Sequence, residues 1–145
     1  MIRKTLLLLT LFACSTSLVK AQPNETEAVK KVVTSAYIQG IQNDGSIEDI
    51  RKGFHPTFNM LRLIDNEVKP YPIEEWIAAI EKRRSEGKTA TAETTGKFIS
   101  VDITGNAATV KLELYREGKK TFTDYLVLYQ FTEGWRIVSK TYYRH

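Results

Sequence analysis

The order of its elements constrains this chain most. After a short apolar leader come an amphipathic helix, a short helix, a small hairpin and a third helix. Four strands then follow in unbroken succession from about Thr91 to the last residue. Helices followed by meandering strands predict an α+β domain, with the helices gathered on one face of an antiparallel sheet. Such a sheet can curl around its helices and leave a cavity.

Each element carries its own signal. Asn24-Glu25-Thr26-Glu27 reads as a helix start, with Asn24 as cap and Glu27 as the capping-box carboxylate. The stripe Val29, Val32, Val33, Ala36, Tyr37, Gly40, Ile41 keeps a period near 3.6, so one face is buried. Asn43-Asp44-Gly45 ends this helix, and Ser46 caps the next, with Asp49 three residues on. Phe54-His55-Pro56 closes that short helix, because proline restricts the residue before it and cannot continue the ladder. Phe58 to Ile64 and Val68 to Tyr71 form a hairpin about Asp65-Asn66-Glu67. Pro72, Glu74 and Glu75 open a third helix with the stripe Ile73, Trp76, Ile77, Ile80. Lys82, Arg83 and Arg84 read as its solvated end.

The strands are punctuated by Gly105-Asn106, Glu117-Gly118 and Glu133-Gly134. Ile99, Val101 and Ile103 alternate onto one face of the first, and Ala108, Val110, Leu112 and Leu114 onto one face of the second. Phe122 to Phe131 is apolar on both faces: Phe122, Leu126 and Leu128 on one, Tyr125, Val127, Tyr129 and Phe131 on the other. A strand of that kind is covered on both sides. Helices cover one; a second subunit, sheet against sheet, is expected on the other.

Composition narrows the function classes. The net charge is +4, but Arg3, Lys4 and Lys20 of the acid-free leader supply three of the 21 basic side chains. The remainder carries 18 basic against 17 acidic groups. That balance speaks against nucleic acid and against a polybasic membrane patch. The leader reads as a secretion signal over 1–21: Arg3 and Lys4 as the positive region, Leu6 to Ala13 as the apolar core, and Val19-Lys20-Ala21 as the cleavage site before Gln22. The apolar run is too short to span a bilayer. In the alternative reading, Leu11-Phe12-Ala13-Cys14 is a lipobox and Cys14 a lipid anchor. Either way the chain is expected to be exported, with 22–145 as one domain. Cys14 is the only cysteine, so its removal with the leader would exclude thiol catalysis and cysteine-held metal.

Three stretches resemble the bacterial proteins described as putative lumazine-binding, within the nuclear transport factor 2-like superfamily: Phe54-His55-Pro56-Thr57-Phe58, Phe122-Thr123-Asp124-Tyr125-Leu126 and Gly134-Trp135-Arg136-Ile137-Val138-Ser139-Lys140. The resemblance covers about Glu25 to His145. It implies a cone-shaped fold, three helices on a curved and mainly antiparallel sheet, with a cavity between the first helix and the concave face. The superfamily includes ketosteroid isomerases, scytalone dehydratases, polyketide cyclases and non-catalytic members.

Candidate site residues are those aimed at that cavity. His55 can act as general acid or base, or can simply satisfy backbone groups beside Pro56. Asp124 shares a face with Phe122, Leu126 and Leu128, where an apolar wall would suit a general base; alternatively it pairs at the rim with Arg116, Lys119 or Lys120. Tyr37 can reach the cavity with its hydroxyl. Trp76 can close its mouth, and Phe58, Met60, Tyr115 and Tyr129 can line its walls, although aromatic residues at such spacings are more often core. No nucleotide, zinc-protease or CxxC motif is present, and no cofactor or metal is implied. The expected function is binding of a small apolar or aromatic molecule without transforming it. A hydro-lyase or isomerase using Asp124, His55 and Tyr37, and a protein-interaction module, stand as alternatives.

Overall fold

The computed structural model describes residues 23–145. The leader, with Cys14 and both proposed processing sites, lies outside the described residues. The first helix begins as α1 (Pro23–Val32) and continues without a break as a π-helical segment (Val33–Gln42). Then come α2 (Ile47–Gly53), β1 (Phe54–Ile64), β2 (Glu67–Pro72), α3 (Ile73–Ser85), β3 (Thr94–Thr104), β4 (Ala107–Arg116), β5 (Lys119–Phe131) and β6 (Gly134–Arg144).

The strands form one open, curved sheet in the order β2-β1-β6-β5-β4-β3. Every neighbouring pair is antiparallel except β1 with β6, so the hairpin joins the four-stranded meander through one parallel pairing. The α+β expectation holds, and the core lies between helices and sheet. Val29, Val33, Tyr37, Ile50, Phe54, Ile77, Leu112, Leu126, Leu128 and Ile137 are buried there.

Turn chemistry explains the hairpins. Asp65 and Asn66 both have positive φ, as do Glu117 and Gly118, the backbone of two-residue turns that match strand twist. Ser46 caps α2 by accepting from the Asp49 amide at 3.3 Å. Gly53 ends α2 against the first helix: a Cβ there would sit 2.3 Å from that of Ala36, so only glycine permits the approach.

Several local expectations differ. The first helix starts at Pro23, so Asn24 lies inside it, and Glu27 pairs with Lys30 at 2.9 Å rather than closing a capping box. Strand β1 begins at Phe54, four residues before Phe58, and takes in His55-Pro56. Its pairing to β6 shifts between Phe54 and Asn59, and such an irregularity tolerates a proline. Ile99 is the extra residue of a bulge between Phe98 and Ser100, so it is exposed while Phe98, Val101 and Ile103 pack on the core. The end of α3 is exposed at Lys82 and Arg83, as expected, but it is also tied down: Arg83 bonds to Asp44, and Arg84 donates to the Gly45 carbonyl at 2.7 Å. Among the described residues, no helix is long and apolar enough to cross a membrane.

Candidate functional site

A cavity of about 240 Å³ opens between the π-helical segment, α3 and the concave sheet face. Its walls are Tyr37, Ile41 and Gln42 from the helix, Trp76 and Arg83 from α3, Met60 from β1, Phe122 from β5, and Lys140 and Tyr142 from β6.

At its base lies a buried polar triad. The Tyr37 hydroxyl donates to Asp124 Oδ2 at 2.7 Å, and Lys140 Nζ donates to Asp124 Oδ1 at 2.5 Å. Asp124 is wholly buried and Lys140 is 3% exposed. The ammonium also lies 4.6 Å from the Tyr142 ring centroid and 5.0 Å from that of Tyr37, close enough for cation–π attraction. Burial of two opposite charges is tolerable only when they pair and their remaining bonds are met. Here each carboxylate oxygen has a donor.

Lys140 reaches the triad because β6 is bulged. Leu128 pairs with Ile137 and Val127 with Ser139, leaving Val138 as the extra residue. Strict alternation from the buried Trp135 and Ile137 would send Ser139 inward and Lys140 outward. The bulge reverses that parity, so Lys140 and Tyr142 face the cavity. The sequence signal was the apolar doublet Ile137-Val138, a break in alternation within this strand.

The triad shifts its own titrations. Burial, followed by the Asp124 charge and hydrogen bond, pushes the Tyr37 hydroxyl well above its ordinary value of 10.0, with the Gln42 amide acting the other way. Burial pushes the Lys140 ammonium down, and Asp124 partly restores it. For Tyr37 the sign is clear: folded tyrosine holds its proton at pH values where the unfolded chain releases it. Its contribution is therefore complete below about pH 10 and is lost as pH rises towards the folded value. Between pH 9 and 11, urea-measured stability of the wild type is expected to fall more steeply than that of Tyr37→Phe. Parallel curves would show that this hydroxyl titrates normally.

The sequence candidates separate in space. Tyr37 and Asp124 meet; Met60 and Trp76 line the cavity with Tyr37. Phe58 is fully buried behind that wall, 4.8 Å from Phe54 edge to face and stacked on Trp76 at 6.3 Å. Tyr115 and Tyr129 belong to the opposite parity from the inward Leu112, Leu114, Leu126 and Leu128, and project from the outer face. There Tyr115 donates to Glu113 at 2.6 Å, and Tyr129 is 45% exposed.

His55 lies apart from the triad. Its Nδ1 bonds Thr57 Oγ1 at 2.7 Å, and its ring stacks on Phe131 at 4.7 Å. Phe131 is seven residues along β5 from Asp124, about 23 Å of extended chain. The Asp124 carboxylate pairs with Lys140, not with the rim cations: Arg116 donates to Thr94 at 3.0 Å, and Lys120 bonds Glu113 at 3.1 Å. Lys140, Gln42 and Tyr142 are site residues that alternation did not reveal. Among the described residues, no cluster of three or more His, Cys, Asp or Glu could hold a metal ion.

Against known proteins, a family model described as putative lumazine-binding matches residues 24–143. Among solved structures, the chain is similar to a nuclear transport factor 2-like protein of unknown function from Shewanella baltica OS155. That match has 22% identity and a TM-score of 0.65, covering 84% of this chain and 94% of that one. Another of unknown function, from Silicibacter pomeroyi DSS-3, matches at 20% identity and TM-score 0.67, covering 86% and 99%. A putative ketosteroid isomerase from Shewanella frigidimarina NCIMB 400 matches at 17% identity and TM-score 0.58, covering 80% and 94%. These likenesses establish the fold. A comparison with curated proteins returns no match.

Proposed function

The chain belongs to the putative lumazine-binding family, of nuclear transport factor 2-like fold, and from that premise we propose that it is an exported, homodimeric protein that binds a small, flat, largely apolar molecule without transforming it. The observation that carries this reading is the burial of Asp124. Both of its oxygens are occupied, by Tyr37 and Lys140, and no part of it is exposed. The other cation on the cavity wall, Arg83, is bonded to Asp44. A general base needs an accessible lone pair near the substrate. The wall offers rings and paired charges instead, which suit binding.

The outer sheet face supports the homodimer. Tyr125 and Tyr129 are 48% and 45% exposed there. Export rests on the leader, with cleavage before Gln22 or lipidation of Cys14 as its two forms.

One specific arrangement favours a second reading. A tyrosine hydroxyl and a carboxylate in contact beside a cavity would serve an isomerase or hydro-lyase if a substrate drew Lys140 away. Native mass spectrometry of the full chain, expressed with its leader and gently purified, tests the first reading. A dimer starting at Gln22, or lipidated at Cys14, with an adduct released unchanged on unfolding is the expected result. An adduct-free protein that converts an added enone or hydroxyketone, and loses that activity in Asp124→Asn, would establish the second.

A further inference from the structure

The π-helical register decides which side chains the first helix presents to the cavity. Tyr37 and Gln42 are five residues apart, and both line it. In an α-helix of 3.6 residues per turn they would point about 140° apart. The i to i+5 hydrogen bonding of a π-helix brings residues five apart nearly into line, within about 50°. Ten residues of π-helix is long for a form that usually spans a single turn, and such segments cluster at functional sites. Here the wider helix adds Gln42 to a wall that an α-helix would have furnished with Tyr37 and Ile41.

Gln42 differs in kind from the other wall residues. Its primary amide offers both an acceptor and two donors. Lys140 has three N–H groups and gives one to Asp124, its only hydrogen-bond partner among the described residues. Both cations on the cavity wall are already engaged, Lys140 with Asp124 and Arg83 with Asp44, which Arg84 also approaches at 3.7 Å. An anionic ligand would leave water to meet no unpaired cation on that wall. A neutral ligand with a carbonyl beside an N–H would find a complementary amide in Gln42 and a further donor in Lys140. The volume, about 240 Å³, is below the usual range for ligand sites and fits one or two rings.

We infer that this pocket selects small, planar, neutral molecules bearing an amide edge, and that Gln42, delivered by the π-helical segment, is the residue that sets this preference. The inference rests on the binding reading above and adds a ligand class to it.

Three single-ring probes separate the two claims: toluene, benzamide and benzoate, titrated into the full chain by calorimetry and by the NMR shift of the Trp76 indole. Benzamide is expected to bind at least tenfold more tightly than either of the others. That advantage is expected to vanish in Gln42→Leu and in Gln42→Glu, the second of which keeps the side chain's length and polarity. Benzoate binding as tightly as benzamide, or benzamide keeping its advantage in both variants, overturns the inference. Toluene moving the Trp76 signal with benzamide no tighter would overturn the selectivity while leaving the binding reading standing. No shift with any probe would overturn both.

Discussion

Replacing Asp124 with alanine is expected to lower the stability of the protein by about 3–5 kcal/mol, because it strands the buried ammonium of Lys140. The Tyr37 hydroxyl loses its acceptor in the same step. At the low end of the typical total of about 5–15 kcal/mol, that leaves a sizeable unfolded fraction. The combined replacement Asp124→Leu, Lys140→Met and Tyr37→Phe is expected to recover most of the loss, since well-packed apolar groups can match or exceed a buried ion pair and no polar group is then left unpaired. Urea unfolding with a common slope measures both. A single variant within about 1 kcal/mol of wild type would mean that water reaches Lys140 and that the triad is not the dry structure described here. Exposed pairs such as Arg51 with Glu74, both roughly half in solvent, are not expected to respond comparably.

This triad also shows where reading the sequence succeeds and where it stops. Apolar period and turn residues placed the helices and the meander, because burial of one face and the demand for positive φ leave a direct mark on residue choice. Tyr37 was legible from its helical stripe and Asp124 from alternation with Leu126 and Leu128. Their partner Lys140 was not, because a single extra residue at Val138 inverts every side chain that follows it. The same physics misplaced Ile99 on β3. Gln42 was hidden for a related reason: a period of 3.6 was assumed for a segment whose hydrogen bonding follows a wider one. That wider turn also buries Ile38, which the α-helical stripe left out. The parallel pairing of β1 with β6 is a contact between distant segments, and neither strand encodes it in its own pattern. Local periodicity therefore recovers faces, whereas the site depends on the places where periodicity breaks.

Phe58 is where the core and cavity readings of the aromatic residues give opposite results. It is fully buried, meets Phe54 edge to face at 86°, and stacks against Trp76 at 27°. Phe58→Ala is accordingly expected to cost about 3–5 kcal/mol, from lost burial and the space left behind. For a domain of this size that corresponds to a fall of about 10–20 °C in Tm. Trp76→Ala should cost less, because Trp76 is only partly buried and faces the cavity. Binding should respond in the opposite order, with Trp76→Ala removing a wall and Phe58→Leu, which keeps most of the apolar volume, leaving the wall in place. Thermal unfolding of the variants, read beside toluene binding to Phe58→Leu and Trp76→Ala, separates the two roles. If Phe58→Ala unfolds near the wild-type temperature and Phe58→Leu loses ligand, then Phe58 faces an open cavity larger than the one described. The helix and sheet would then be held apart by something other than their aromatic contacts.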